Sequence, residues 1–117
     1  MINLKKLIKI LKALADESRI RIVALLKKRN SLCVCEITEI IGLSQPTISS
    51  HLKKLQDAEI ITYSKDGLWV KYSLDENMEE EVEQFLDSIV RILGEDERIK
   101  SDVSRSFKIN REMLCKK

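Results

Sequence analysis

The stretch SLCVCEIT, residues 31–38, places two thiols, Cys33 and Cys35, one residue apart. Thiolates are soft ligands, and a pair of them selects As(III), Sb(III), Cd(II), Pb(II) or Hg(II) over Mg(II) or Ca(II). The alternative reading of the pair is two small buried hydrophobes. A third thiol, Cys115, stands far downstream in REMLCKK. Three cysteines in a chain whose start does not read as a secretion signal suit metal or redox chemistry better than a disulfide framework. His51 is the only histidine, so neither a histidine metal pair nor a Ser-His-Asp triad can be assembled within one chain. A C-x-C pair without an obvious general base or cofactor loop gives little support to a thiol enzyme, and a non-enzymatic role is expected. In a regular helix, residues i and i+2 point about 200° apart, and in a strand they face opposite sides, so neither geometry lets both sulfurs hold one ion. Chelation by both sulfurs is therefore expected to unwind or tilt the helix that follows Cys33.

The elements that position these thiols are readable from periodicity. Leu4, Leu7, Ile8, Leu11 and Leu14 recur at helical spacing, with Lys5, Lys6, Lys9 and Lys12 between them. Asp16 is placed to cap a second helix with Ile20, Val23 and Leu26 inward. A short third helix is expected over roughly 35–41, ended by Gly42 in the left-handed conformation. Ser44 then caps a fourth, QPTISSHLKKLQDAEI, with Pro46 in its first turn and a buried stripe of Ile48, Leu52 and Leu55. IITYSKDGLWVKYSL carries β-branched and aromatic residues on both sides of Asp66-Gly67, which signals a two-residue hairpin. Helical spacing returns through Met78, Val82, Phe85, Leu86, Ile89 and Leu93. The remainder is charged and weakly patterned, and reads as a partly helical or mobile tail. The expected organisation is one domain over residues 1–93 and a charged C-terminal tail over 94–117 that carries Cys115.

The composition agrees with a compact and mainly α-helical domain: 117 residues, 44% hydrophobic and 34% charged, with one proline and three glycines. The N-terminus is too charged for a signal peptide, and no apolar run approaches the roughly 18–20 residues of a membrane span. No membrane association and a cytoplasmic location are expected. The net charge of +2 is unevenly spread. Residues 1–74 carry 13 basic and 7 acidic side chains, residues 75–97 carry 1 and 10, and residues 98–117 carry 7 and 2. A basic body suits a polyanion, with the acidic segment turned away from it.

A short helix, a tight turn, a second helix and a hairpin, in that order, make a winged helix-turn-helix. The fourth helix presents Gln45, Thr47, Ser49, Ser50, His51 and Lys54 among its apolar anchors. Near the start of a recognition helix, Gln pairs bidentately with adenine, and Ser or Thr takes several bases. Lys53, Lys54 and the hairpin's Lys65 and Lys71 suit phosphates, which position a protein on DNA without reading its sequence. Ser44 joins this set as the residue that opens the helix. The lone His51 suits a hydrogen bond to DNA or a structural contact between helical turns.

LADESRIRIVALL, SLCVCEIT, LSQPTISSHLKKLQDAEII and KDGLWVKYSL together resemble the ArsR family of metal-sensing repressors, over about residues 1–93. The resemblance implies a homodimeric winged helix-turn-helix repressor that binds double-stranded operator DNA and leaves it when an ion binds. It implies a dimer interface built from residues 2–14 and 78–93. Arsenic-responsive members commonly carry a third cysteine three residues after the second, where this chain has Thr38. Cadmium- and lead-responsive members add cysteines from the N-terminal region, and none precedes Cys33 here. Zinc sensors place Asp and His ligands on the last helix, and residues 78–93 hold no histidine. As(III) or Sb(III) is thus the expected inducer, with no organic cofactor, held by Cys33 and Cys35 either alone or with Cys115, from the same chain or a second copy, as third donor. A redox or reactive-sulfur switch on the same thiols, and a Cd/Pb-responsive variant, stand as alternatives.

Overall fold

The computed structural model describes residues 2–109. In chain order they form α1 (Leu4–Leu14), α2 (Glu17–Lys28), β1 (Leu32–Cys33), α3 (Val34–Ile41), α4 (Gln45–Asp57), β2 (Ile61–Asp66), β3 (Trp69–Leu74), α5 (Glu80–Ile92) and α6 (Glu97–Ser106). The helix starts follow capping chemistry. Asn3 Oδ1 accepts from the Lys6 N–H at 2.8 Å, and Asp16 Oδ2 accepts from the Arg19 N–H at 3.1 Å. Each satisfies one of the amides that a helix start leaves without a partner.

Two boundaries differ from the periodicity. The fourth helix was expected through Ile60, and α4 ends at Asp57. Its end is a Schellman turn: the Ile60 N–H reaches the Leu55 carbonyl at 3.0 Å and the Glu59 N–H reaches Gln56 at 2.9 Å. Glu59 takes the left-handed position with φ 61°, a place usually given to glycine. No glycine marks this end, so the apolar pattern runs on past it. In the hairpin, Asp66 pairs with Trp69, and the loop is Gly67-Leu68, one residue later than expected. Gly67, with φ 63°, occupies the first loop position, where a positive φ is needed.

The wing is larger than a hairpin. β1 pairs antiparallel with β3, matching Leu32 to Tyr72 and Cys33 to Lys71, so the sheet order is β1-β3-β2. A strand of two residues shows no alternation, which is why sequence pattern does not disclose it. The core draws on every layer, with Ile10, Ile22, Leu25, Leu32, Ile37, Ile40, Ile48, Leu52, Leu55, Ile60, Ile61 and Leu86 essentially inaccessible to solvent. On α2, the inward Val23 and Leu26 are joined by Ile22, Ala24 and Leu25, while Ile20 is half-buried.

Helix α1 lies against α2 and α4, leaving Leu4, Leu7, Ile8 and Leu11 exposed. On α5, Val82 and Leu86 are buried, whereas Phe85 and Ile92 are exposed. Lys6 Nζ bonds the Glu79 carboxylate at 2.9 and 3.0 Å and links α1 to the start of α5. The hydrogen bond from Lys6 holds the Glu79 carboxyl below its ordinary value of 4.5.

The segment expected as a partly helical tail contains α6, which packs on α2 and α3. Asp96 caps it, accepting from the Ile99 N–H at 3.0 Å. Arg21 on α2 meets Asp102 on α6 through two parallel bonds, Nε to Oδ2 at 2.8 Å and Nη2 to Oδ1 at 2.9 Å. Both partners are buried, Arg21 at 8% and Asp102 at 2% exposure. Removing one partner of such a pair leaves a buried charge without compensation, and that loss exceeds the net worth of the pair.

Asp102→Ala is therefore expected to lower the unfolding free energy by about 3–5 kcal/mol, read as a fall in the urea midpoint at fixed protein concentration. The Lys6–Glu79 link depends on pH. Because the folded pKa of Glu79 is depressed, its contribution is complete above 4.5 and is lost as pH falls through the folded value. Glu79→Gln should flatten that acid limb in a series of urea midpoints taken from neutral pH downward.

Candidate nucleic-acid interface and thiol site

The short helix α3, a turn at Gly42-Leu43 and the helix α4 form the helix-turn-helix. Gly42 takes φ 85°, and its N–H donates to the Thr38 carbonyl at 2.9 Å. Ser44 caps α4: its Oγ accepts from the Thr47 N–H at 3.4 Å and lies 2.9 Å from Thr47 Oγ1. Ile48, Leu52 and Leu55 bind α4 to the core, and Ser44, Gln45, Thr47, Ser49, Ser50, Lys53 and Lys54 are exposed. The sequence thus splits α4 into an apolar face that fixes it and a polar face at its N-terminal half. The partial positive charge of the helix start favours a phosphate there.

The remaining positions expected to meet DNA are less open. His51 is half-buried, with its Nδ1 3.8 Å from Asp16 Oδ2 at the cap of α2. That placement gives His51 a structural contact between α4 and α2 and sets it apart from the exposed polar face. Lys53 pairs with Asp57 at 2.8 Å, and this hydrogen bond lowers the Asp57 pKa. Lys65 is exposed on β2, whereas Lys71 is half-buried and bonds Asp66 across the hairpin at 3.1 Å. Lys53, Lys54 and Lys65 are exposed, and Lys53 and Lys71 each carry an intramolecular ion pair.

The thiols lie at the other end of α3. Cys33 closes β1 and is the N-cap of α3, with extended φ −76° and ψ 159°. It is 1% exposed. Its N–H donates to Glu36 Oε1 at 2.7 Å, the return half of a capping box in which the sulfur stands where Ser or Thr usually stands. Cys35, the second residue of α3, is half-buried. Cys33 is therefore a strand residue and Cys35 a helical one, so the pair straddles the β1–α3 junction. Thr38, at the position where a third sulfur was expected, donates its hydroxyl to the Val34 carbonyl at 2.7 Å and is committed to its own helix. Cys115 lies outside the described residues. Among the described residues there is no group of three or more His, Cys, Asp or Glu able to hold a metal ion.

The two cysteines nonetheless suit a thiophilic ion. Cys33 is a buried thiol and Cys35 is disulfide-bonded in this structure, so the pair offers two soft donors to one ion only once that bond is reduced. Sequence reasoning passed over Arg105 on α6, which reaches the helix-turn-helix from outside it. Its Nη1 donates to the Ile40 carbonyl at 2.8 Å and its Nη2 to the Glu39 carbonyl at 3.0 Å. No local pattern marks it, because its partners are remote in sequence.

Comparison with known proteins places this architecture. Residues 16–63 match the family described as bacterial regulatory protein, arsR family. The arsenic resistance transcriptional regulator ArsR1 of Pseudomonas putida is 40% identical over 81 residues, which cover 69% of this chain and 63% of that protein. The arsenical resistance operon repressor of Bacillus subtilis is 42% identical over 85 residues, covering 72% of this chain and 81% of the relative. A cadmium resistance transcriptional regulatory protein CadC homolog of Staphylococcus aureus is 43% identical over 68 residues, covering 58% and 56%. The chain thus spans less than two thirds of the length of the Pseudomonas and Staphylococcus relatives. Among solved structures, HlyU from Vibrio cholerae superposes with a TM-score of 0.68 at 30% identity, covering 78% of this chain and 95% of that one. No helix among the described residues is long and apolar enough to cross a membrane.

The split between reading and positioning residues is testable in duplex-DNA titrations by fluorescence anisotropy across a salt series. Lys54→Ala should weaken binding evenly across sequences and reduce the salt slope by about 1. Gln45→Ala should leave the slope and relax discrimination at one base pair by about 1–3 kcal/mol.

Proposed function

The chain belongs to the arsR family of bacterial regulatory proteins, and from that premise we propose that it is a transcriptional repressor released from operator DNA by As(III) or Sb(III). Members of this family are DNA-binding regulators rather than enzymes, and α4 with the wing supplies the reading surface. The observation that carries the inducer reading is the position of Cys33. It is at once the N-cap of α3 and a paired residue of the sheet that bears the wing. A thiol at that junction touches both parts of the DNA-binding surface.

A trivalent metalloid supplies a thiophilic centre that takes the place of thiol protons. A thiol reductant would first open the disulfide at Cys35; Cys33 and Cys35 would then hold the metalloid as thiolates, and Cys115 is the proposed third donor. Cys33 is buried, so joining Cys35 on one ion requires Cys33 to leave its packed position. That movement withdraws the cap from α3 and loosens the pairing of Cys33 with Lys71 on β3. The helix beside the recognition helix and the wing then shift together, and the DNA surface is lost.

We further infer a homodimer. Leu4, Leu7, Ile8 and Leu11 on α1 and Phe85 and Ile92 on α5 are exposed. Apolar stripes of this kind on two neighbouring helices suit burial against a second copy. A dimer also gives two recognition helices for a two-fold site, where one short helix offers limited specificity. The wing, the basic body and the capped α4 suit double-stranded DNA as the partner, and a cytoplasmic location goes with that role.

The identity to a cadmium-resistance regulator favours Cd(II) as the second reading. An operator mobility-shift titration with As(III), Sb(III), Cd(II), Pb(II) and Zn(II), run on wild type and on Cys33→Ser, Cys35→Ser and Cys115→Ser, decides between them. Arsenite and antimonite should release the wild type at the lowest concentrations, and Cys33→Ser and Cys35→Ser should stay bound. Release by Cd(II) or Pb(II) alone would transfer the function to the second reading. Release by peroxide or polysulfide with indifference to arsenite would replace it with a redox switch. A Cys115→Ser variant that responds like wild type removes Cys115 from the ligand set.

A further inference from the structure

We propose that α6 is a strap that holds the C-terminal end of α3, and that Arg105 is a positioning residue for DNA reading. It would set the α3–turn–α4 geometry without touching DNA. The inference rests on the DNA-binding reading above.

A helix leaves its last carbonyls without intrahelical donors, and in a helix of eight residues that is half of them. Gly42 serves the Thr38 carbonyl. The next two, of Glu39 and Ile40, are served by the two arms of the Arg105 guanidinium. A planar fork spans two neighbouring oxygens as a point-like ammonium cannot. A cation at a helix C-terminus also meets the negative end of the helix dipole. The Glu39 carboxylate adds a looser contact, 3.9 Å from Arg105 Nη2.

The strap is itself anchored independently of Arg105. Asp102 joins Arg21 in the buried pair, and Arg29 on the cap of α2 donates to the Ser106 carbonyl and stacks over the Phe107 ring at 4.4 Å from its centroid. Ile99, Asp102 and Ser106 form the buried face of α6, and Arg105 extends from its edge to α3. The turn that α3 feeds has two residues before Ser44 caps the recognition helix. Freedom at the Glu39 and Ile40 carbonyls therefore passes directly into the angle of α4.

The test pairs amide exchange by NMR with operator affinity across a salt series, on wild type, Arg105→Ala, Arg105→Lys and the exposed-cation control Lys108→Ala. Arg105→Ala should raise the exchange of the Gly42 amide and of the first amides of α4 by about tenfold. It should also weaken operator binding by about tenfold with the salt slope unchanged. Arg105→Lys should recover part of both effects, and Lys108→Ala neither. Unchanged exchange in folded Arg105→Ala would overturn the strap. A salt slope reduced by about 1 with unchanged exchange would make Arg105 a phosphate contact instead. A wild type that binds no operator sinks the DNA-binding reading, and the exchange data still decide whether Arg105 holds the turn.

Discussion

Helix α3 has eight residues, well below the length of roughly 12–15 residues at which a helix is marginally stable alone in water. Its position must come from what surrounds it. Ile37, Ile40 and Ile41 pack it into the core, β1 ties its start to the wing, and Gly42 and Arg105 finish its end. Since a two-residue turn separates it from α4, whatever moves α3 moves the polar face that would read DNA. The fold thus hangs α4 from the shortest helix among the described residues.

The tethers differ in kind, and the difference matters for function. The core contacts are apolar and non-directional, so they hold α3 in the body without defining its two ends. The ends are held by directional bonds: the Cys33–Glu36 capping contact on one side and the Arg105 fork on the other. A thiol in the first of these puts a chemically addressable group where the helix begins. The Arg21–Asp102 pair has a different part. Burying two charges is costly, and a packed apolar pair would hold α6 as well or better. Its two parallel bonds favour one docking position for α6, as Arg105 requires.

The electrostatic layout follows the same division. The basic body carries α4 and the wing, while the acidic segment of residues 75–97 lies on and around α5, where Phe85 and Ile92 are also exposed. The α5 part of the surface suited to a second copy is thereby set in acidic surroundings, unlike the basic segment that carries α4 and the wing. Lys53 and Lys71 illustrate why counting cations overstates an interface. Each is partly engaged by an acid of its own element or hairpin, Asp57 and Asp66.

What sequence alone determined was local. The caps at Asp16 and Ser44, the left-handed Gly42 and the apolar stripe of α4 all act within a few residues of themselves, where spacing states the chemistry. Boundaries slipped where a local signal was missing, at the glycine-free end of α4 and at the one-residue offset of the hairpin loop. Tertiary structure decided the rest: that Cys33 is buried in a strand paired with β3, that His51 turns to Asp16, that the charged segment after residue 94 contains a docked helix, and that Arg105 completes α3. Each of these depends on a partner dozens of residues away or on a pairing too short to have a period. The free energy of such contacts resides between elements, and no one-dimensional pattern records it.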